Sequence, residues 1–281
     1  MRLANVDERL MVARTGGGFV DLATASAGRF GPDPQSVYER WEEFADWAGT
    51  AGEWTDAGYD PPVQSLGAPV PRPRQVFAAA LNYREHAAEG GFDAPTVPQI
   101  FTKYPSCLTG PVTEVALATD KVDWEAELVI VIGRRAYMVP RDAAWSHVAG
   151  VMAGQDLSAR DVQRTGPTPQ FSLAKSFPGF GPTGPWVVSA DEFGEEPAEI
   201  ECLLNGELVQ HASSAEMIFS VADLIEHISR ITPMLPGDLL FTGTPAGVGA
   251  RRDPPRFLRE DDRLLTRIAR IGELTQVFRA A

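Results

Sequence analysis

The chain has 281 residues, 25 Lys+Arg against 38 Asp+Glu and 44% apolar residues, a composition that excludes a disordered chain. Its net charge of −13 at pH 7 disfavours nucleic acid and anionic membranes as partners. No apolar run reaches the roughly 18 residues of a membrane span, the start lacks the apolar segment of a secretory signal, and two cysteines are too few for a disulfide framework, so we expect a cytoplasmic protein.

The N-terminal region predicts short strands followed by a helix. In chain order, the strands are expected at Arg2–Val6, Met11–Arg14 and Phe19–Leu22, and the helix at Val37–Trp47. Residues 48–74 are rich in Gly and Pro, which is typical of an irregular linker. We therefore predict a small N-terminal α/β domain over residues 1–70 and a larger domain over residues 71–281.

Strand signals dominate the larger region. Its predicted elements are a strand at Val76–Leu81, a helical turn at Arg84–Glu89, strands at Val122–Ile132 and Val148–Gln155, a hairpin at Ile200–Gln210, a helix at Val221–Ile231, and strands at Leu264–Arg270 and Leu274–Phe278. Asn205-Gly206 is the dipeptide best suited to the type I′ turn of such a hairpin. This order predicts a strand-rich α+β fold.

A row of acids lies on one face of the predicted strand Val122–Ile132. At a period of two residues, the even positions form an unbroken apolar face, and Asp123, Glu125 and Glu127 lie on the other face. Neighbouring like charges that lose water cost several kcal/mol unless they are paired or neutralised. A solvated edge stays an alternative, but a divalent cation with oxygen ligands suits an acidic row that enters the interior better.

Asp156 follows the predicted strand Val148–Gln155 and is well placed to be a third ligand. A helix cap for Leu157–Val162 is the alternative, and Asp156 could also do both. Three carboxylates without a cysteine or a close pair of histidines suit Mg²⁺ or Mn²⁺ better than zinc.

His86 and Glu89 are three residues apart in the predicted helical turn, so they share a face. A carboxylate beside an imidazole fixes its tautomer and raises its basicity, which is what a general base needs. The same spacing occurs on many surface helices, and an ordinary surface pair stays the alternative.

Several segments in this order resemble the fumarylacetoacetate hydrolase family over residues 75–278. They are Asn82-Tyr83-x-x-His86-x-x-Glu89, Val122-Asp123-x-Glu125-x-Glu127-Leu128, Gln155-Asp156-x-Ser158-x-Arg160-Asp161, Lys175-Ser176 and Thr242-Gly243-Thr244-Pro245-x-Gly247-Val248-Gly249. The resemblance implies a mixed β-roll catalytic domain, usually a homodimer, with one Mg²⁺ or Mn²⁺ in each site.

The resemblance also implies roles for the acids and for the histidine. The metal ligands would be Glu125, Glu127 and Asp156. Asp123 would be a neighbouring acid and not a ligand. His86 with Glu89 would activate water on a segment that closes over the substrate.

Four further residues match family positions that bind substrate or developing charge. Arg160, Gln163 and Lys175 match positions that bind the oxyanion or carbanion, and Thr244 would contact the substrate carboxylate. Lys175 is one of only three lysines in a chain with 22 arginines. A compact ammonium acts as a point charge where the broad fork of an arginine would fit poorly.

One departure from the family pattern narrows the expected reaction. The hydrolase that names the family has an extra aspartate ligand some seven residues before the histidine, and this chain has Ala78-Ala79-Ala80 in that stretch. The resemblance therefore points away from fumarylacetoacetate and towards acylpyruvate hydrolases, oxaloacetate decarboxylases and diketo-sugar-acid hydrolases.

We predict a metal-dependent hydrolase that cleaves a C–C bond in a 2,4-dioxo acid, with the pyruvate enolate stabilised by the metal and Lys175. The alternatives are decarboxylation of an oxaloacetate-type acid and isomerisation or C–N lysis of a related acid. One scaffold supports all of these reactions. The expected partners are a small 2-oxo acid and a second copy of the chain.

Overall fold

The computed structural model describes residues 1–13, 17–50 and 58–281. Its strands are β1 Arg2–Val6, β2 Arg9–Ala13, β3 Val20–Asp21, β4 Leu66–Gly67, β5 Val76–Ala80, β6 Gln99–Thr102, β7 Leu108–Thr109, β8 Val112–Leu117, β9 Val122–Asp123, β10 Ala126–Ile132, β11 Val148–Gln155, β12 Ser158–Ala159, β13 Gly181–Ser189, β14 Glu199–Leu204, β15 Glu207–Ser213, β16 Leu239–Phe241, β17 Arg263–Ile268 and β18 Gly272–Ala280. Its α-helices are α1 Leu22–Ala25, α2 Ser36–Glu39, α3 Trp41–Thr50, α4 Arg84–Glu89, α5 Arg160–Gln163, α6 Phe171–Ala174, α7 Ala190–Phe193 and α8 Val221–Ser229. Short 3₁₀ turns lie at Val63–Ser65, Pro105–Cys107, Arg141–His147, Ser214–Glu216 and Gly249–Arg251.

A large mixed sheet forms the centre of the molecule. Its strand order is β3-β2-β1-β13-β11-β10-β16-β5-β6, with β4 paired to β1 and β7 paired to β13. Most pairs are antiparallel, but β16 and β5 run parallel, as do β13 and β7. This architecture confirms the predicted strand-rich α+β class. None of the helices in the described ranges is long and apolar enough to cross a membrane.

A second sheet packs on one face of the first. It has the order β15-β14-β17-β18-β8. Leu128 and Ile130 of β10 share a hydrophobic core with Cys202 and Leu264 of this second sheet, and with Leu224 of α8. Burial of such apolar side chains stabilises the fold by about 25 cal/mol per Å².

The central strand β10 confirms the predicted alternation of faces. Its even positions belong to the core beneath the second sheet, whereas Val129 and Val131 belong to a second core on the opposite face. That second core contains Tyr38 of α2 and Phe44 of α3. Both faces of β10 are covered. Glu125, which precedes the strand, and Glu127, which lies near its start, are therefore buried in the interior.

The predicted strand Val122–Ile132 is interrupted at Trp124 and Glu125. The Trp124 amide donates to the Asp123 Oδ1 atom at 2.9 Å, and the Glu125 amide donates to Gln155 Oε1 at 2.9 Å. These side chains take amides that a continuous ladder would pair with backbone carbonyls. The break leaves β9 and β10 as separate strands.

The predicted helix Val37–Trp47 is also divided in two. Arg40 leaves the helical region at φ −120°, so α2 ends at Glu39 and α3 begins at Trp41. The Arg40 guanidinium binds Glu43 and the Arg29 carbonyl.

Strands from both predicted domains share the large sheet. The antiparallel register of β1 and β13 pairs Arg2 with Val188 and Leu3 with Val187. The boundary near residue 71 stays a prediction. Arg14 of the second predicted strand, and part of the predicted linker, lie outside the described residues.

Candidate active site

Three buried carboxylates meet where β10 begins and β11 ends. These strands are antiparallel, and their register pairs Ala126 with Gln155, so Glu125 and Asp156 are neighbours across the ladder. The Asp156 amide donates to the Glu125 carbonyl at 2.9 Å. Oxygen atoms of Glu125, Glu127 and Asp156 all lie within 4.8 Å of one another.

The turn after β16 holds Glu127 in place. The Gly243 amide donates to Glu127 Oε2 at 2.8 Å. Gly243 has φ +96°, and a Cβ atom there would lie 2.8 Å from the Cβ of Asn82. Both the left-handed backbone and the close approach therefore require glycine at this position.

Two buried lysines bind the acidic triad. The Lys175 Nζ atom lies 2.6 Å from Glu125 Oε2 and 2.6 Å from Asp156 Oδ2. The Lys103 Nζ atom lies 2.6 Å from Asp156 Oδ1 and also donates to the carbonyls of Lys175 and Phe180. All three protons of Lys103 are thus used within the protein, whereas Lys175 keeps one for a ligand.

Arg160 connects the triad to Asp123. Its Nε atom lies 2.8 Å from Asp123 Oδ2, and its terminal amino group lies 2.6 Å from Glu125 Oε1. Asp123 also accepts hydrogen bonds from the amides of Gly249 at 2.7 Å and Ala250 at 3.0 Å. Because protein donors occupy its oxygens, Asp123 acts as an anchor for Arg160 and for the 249–250 turn.

The carboxyl groups of the triad have different electrostatic surroundings. Burial disfavours the charged form of Glu125, but Lys175 and Arg160 lower its pKa to about 2. Burial, together with the negative charges of Asp156 and Glu125, raises the pKa of Glu127 well above its ordinary value. Glu127 has no basic side chain within 4.0 Å among the residues that the structure describes.

This donor set fits a divalent cation. Three carboxylates converge, and one of them lacks a cationic partner of its own. Hard cations such as Mg²⁺ and Mn²⁺ prefer carboxylate oxygens at such a site. Glu125, Glu127 and Asp156 are the residues that could hold the ion.

The histidine of α4 faces the same site. His86 Nδ1 lies 2.7 Å from Glu89 Oε1, and Glu89 Oε2 accepts the Gly247 amide at 2.9 Å. Glu89 is therefore held between α4 and the turn at 247, and it fixes the orientation of the imidazole. The Nε2 atom of His86 is left for a ligand or water.

A cavity of about 380 Å³ brings most of the predicted site residues together. Those that line it are His86, Glu125, Arg160, Gln163, Lys175 and Thr244. The other three are in contact with these: Glu89 bonds to His86, Asp156 bonds to Lys175, and Glu127 lies beside Glu125. The remaining wall is largely apolar and includes Phe92, Phe101, Pro169, Phe171 and Val248.

The hydroxyl of Thr244 is already engaged within the protein. It donates to the Ala126 carbonyl at 2.9 Å and accepts from Gln210 Nε2 at 2.8 Å. The Thr244 amide has no hydrogen-bond partner within the described ranges of the chain. The backbone N–H is thus the group with which Thr244 can bind a substrate carboxylate.

Sequence reasoning missed Lys103 as a site residue. It lies just after β6, 53 residues before its partner Asp156, in no local pattern that marks it. The scarcity of lysine was the available signal, because two of the three lysines in the chain bind the triad.

A comparison with known protein families shows to which family this chain belongs. The model of the fumarylacetoacetate (FAA) hydrolase C-terminal domain matches residues 75–279. The chain belongs to the fumarylacetoacetate hydrolase family. This result confirms the resemblance predicted from the sequence, and the members with named reactions are enzymes.

Individual members of the family are similar over most or all of the chain. Human oxaloacetate tautomerase FAHD2A, mitochondrial, is 39% identical over 208 residues, which are 73% of this chain and 66% of that protein, slightly less than two thirds of its length. The crystal structure of a candidate HpcE protein from Mycobacterium smegmatis is 50% identical, with a TM-score of 0.95 over all of both chains.

A third member was solved with a metal and a small acid. Fumarylpyruvate hydrolase from Pseudomonas aeruginosa, in complex with Mn²⁺ and pyruvate, is 31% identical, with a TM-score of 0.67 over 74% of this chain and 90% of that one. This chain therefore shares its fold with a relative that binds Mn²⁺ and pyruvate. The expected homodimer and the cytoplasmic location stay predictions.

Proposed function

We propose that this protein is a divalent-metal-dependent enzyme that hydrolyses a C–C bond in a 2,4-dioxo acid. The observation that carries the proposal is the His86–Glu89 pair, joined at 2.7 Å, in which His86 lines the same cavity as Glu125 and Lys175. A general base and a cationic group thus face the same enclosed space beside a carboxylate triad suited to a metal.

Glu125, Glu127 and Asp156 would hold the Mg²⁺ or Mn²⁺ ion. When bound, the ion supplies Lewis-acid charge for the carboxylate and 2-oxo oxygens of the substrate. Support comes from the Pseudomonas aeruginosa relative, whose structure contains Mn²⁺ and pyruvate. The chain supplies the remaining groups.

In the proposed hydrolysis, His86 Nε2 removes a proton from water, and the hydroxide adds to the distal carbonyl carbon, C4. The C3–C4 bond then breaks, and its electron pair passes to C3 and the 2-oxo oxygen as the pyruvate enolate. A proton returned to C3 gives pyruvate, and C4 leaves as a carboxylate. The unused proton of Lys175 stabilises the negative charge that develops, and the Thr244 amide binds the substrate carboxylate.

Tautomerisation of oxaloacetate is the second candidate, favoured by the 39% identity to human oxaloacetate tautomerase FAHD2A. This reaction needs no water attack. His86 moves a proton between C3 and the 2-oxo oxygen of the substrate, and Glu89 stabilises the imidazolium between the two transfers. Decarboxylation of oxaloacetate remains a third outcome, which needs no proton acceptor at His86.

Product analysis separates these reactions. Metal-stripped protein, reloaded with Mn²⁺, is given acetylpyruvate, fumarylpyruvate or oxaloacetate, and pyruvate, CO₂ and the ultraviolet absorbance of the enol are followed. Hydrolysis releases pyruvate from a dioxo acid without CO₂. Loss of enol oxaloacetate without pyruvate or CO₂ would replace the proposal by tautomerisation, and CO₂ release would replace it by decarboxylation.

A further inference from the structure

Two arginines of the cavity form no ion pair with the residues that the structure describes. Arg164 and Arg251 both line the cavity that contains Glu125 and Lys175. Within the described ranges, neither has an acidic group within 4.0 Å or a side-chain hydrogen bond. The other described arginines without an acidic partner are Arg84, Arg135, Arg259 and Arg263, and all of these lie outside this cavity.

Arg160 lines the same cavity but does form ion pairs, so, among the described residues of the cavity, the absence of an acidic partner is particular to Arg164 and Arg251. Arg160 is 9% exposed and is bound by Asp123 and Glu125. Arg164 follows it by one helical turn, at the end of α5, and is exposed. The cavity is therefore lined by one arginine that the acids hold and by two that no acid holds within the described ranges.

The second arginine approaches from another part of the chain. Arg251 follows Gly249 and Ala250, whose amides are bound by Asp123, so its backbone is tied to the same acid that anchors Arg160. Its guanidinium lies 5.6 Å from the ring centre of Phe92, on the cavity wall. Burial and the positive charges of Arg164 and Arg160 lower the pKa of Arg251, whereas Glu89 and Asp123 act in the opposite sense.

We propose that Arg164 and Arg251 form a subsite for a second carboxylate, so that the substrate is a 2-oxo acid with a carboxylate at each end. This inference rests on the proposed function, because it takes the metal centre as the site of the 2-oxo end. Two guanidinium groups are suited to a carboxylate through charge-assisted hydrogen bonds. In a protein with a net charge of −13, they also bring positive charge to the cavity that an anionic substrate would enter.

The test compares two unreactive ligands that differ only at the distal end. N-oxalylglycine carries a second carboxylate, and N-ethyloxamate has a methyl group in its place. Their dissociation constants are measured by calorimetry with the Mn²⁺-loaded protein. The wild type is expected to bind N-oxalylglycine about tenfold more tightly or better, the range of a charge-assisted hydrogen bond.

Matched variants assign that preference to the two arginines. The double variant Arg164→Gln/Arg251→Gln is expected to lose the preference while its affinity for N-ethyloxamate stays within about twofold of the wild-type value. Arg259→Gln, which removes an unpaired arginine outside the cavity, is the control and keeps the preference.

The outcomes separate this inference from the function on which it rests. Equal binding of both ligands by the wild type, or a preference that survives in the double variant, would overturn the dicarboxylate subsite alone. Failure of both ligands to bind in a metal-dependent manner would overturn the proposed 2-oxo acid site and the inference with it.

Discussion

The Lys103 Nζ atom lies 2.6 Å from the Asp156 Oδ1 atom, and both side chains are completely buried. Asp156 receives a second ammonium, from Lys175, on its other oxygen. The two lysines therefore fix the carboxylate from both sides. Lys103 has no proton left for a ligand, so it acts as a positioning residue and does not bind substrate.

Removal of Lys103 is expected to destabilise the protein. Lys103→Met leaves Asp156 Oδ1 and two carbonyls without their donor, and an uncompensated buried charge costs about 3–5 kcal/mol. Urea unfolding of the metal-free protein measures the loss. Lys121→Met, at the exposed third lysine, is the control and should change the free energy of unfolding by less than about 0.5 kcal/mol. Equal stability of the two variants would show that Lys103 has no such role.

Removal of the Glu127 carboxyl group is expected to stabilise the metal-free protein, whereas removal of Lys103 destabilises it. Its pKa is raised in the folded state, so its ionisation destabilises the fold as pH rises above the ordinary value of 4.5. Glu127→Gln removes that ionisation and keeps an acceptor for the Gly243 amide. The metal-free variant should therefore be more stable than the wild type at neutral pH, by about 1 kcal/mol or more.

The pH dependence of the free energy of unfolding shows whether the ionisation of Glu127, and not another effect of the substitution, causes the difference in stability. In the absence of metal, the advantage of Glu127→Gln should grow as pH rises above about 4.5, because the unfolded wild type loses this proton there while the folded wild type keeps it. Asp156→Asn is the contrast, since it deprives both lysines of their partner and should destabilise the fold. If Glu127→Gln is also less stable at every pH, then the raised pKa does not control its stability.

The His86–Glu89 pair is expected to control the rate rather than the fold. His86→Asn should lower kcat for pyruvate release by about 100-fold or more, because the general base is lost. Glu89→Gln should have a smaller effect of the same sign, since it weakens the hydrogen bond that orients His86. His211→Asn, at an exposed histidine, is the control. Unchanged kcat in His86→Asn, with the fold intact by circular dichroism, would exclude hydrolysis by this pair.

The sequence allowed the acidic end of the site to be predicted because local patterns determine it. The alternation in Val122–Ile132 predicted a strand with both faces buried towards its end, and the cores on the two sides of β10 confirm this. The interruption at Trp124 was not predictable from alternation. It depends on the side chains of Asp123 and Gln155, whose acceptors take two amides of the strand.

Contacts between distant parts of the chain lay beyond the local patterns. Lys103 reaches Asp156 across 53 residues, and Arg251 shares a cavity wall with Arg164 across a still longer separation. Such pairs depend on how the sheets pack and not on the residues beside them. Lysines and an arginine from other elements therefore neutralise part of the negative charge that the acids bring into the interior.

Calorimetric titration of Mn²⁺ into the metal-free protein tests the central claim most directly. The account predicts one ion per chain in the wild type. It also predicts loss of that binding in Glu127→Gln, a variant whose fold should be intact, which removes unfolding as an explanation. Absence of binding in the wild type, or unchanged affinity in Glu127→Gln, would contradict a metal centre formed by Glu125, Glu127 and Asp156.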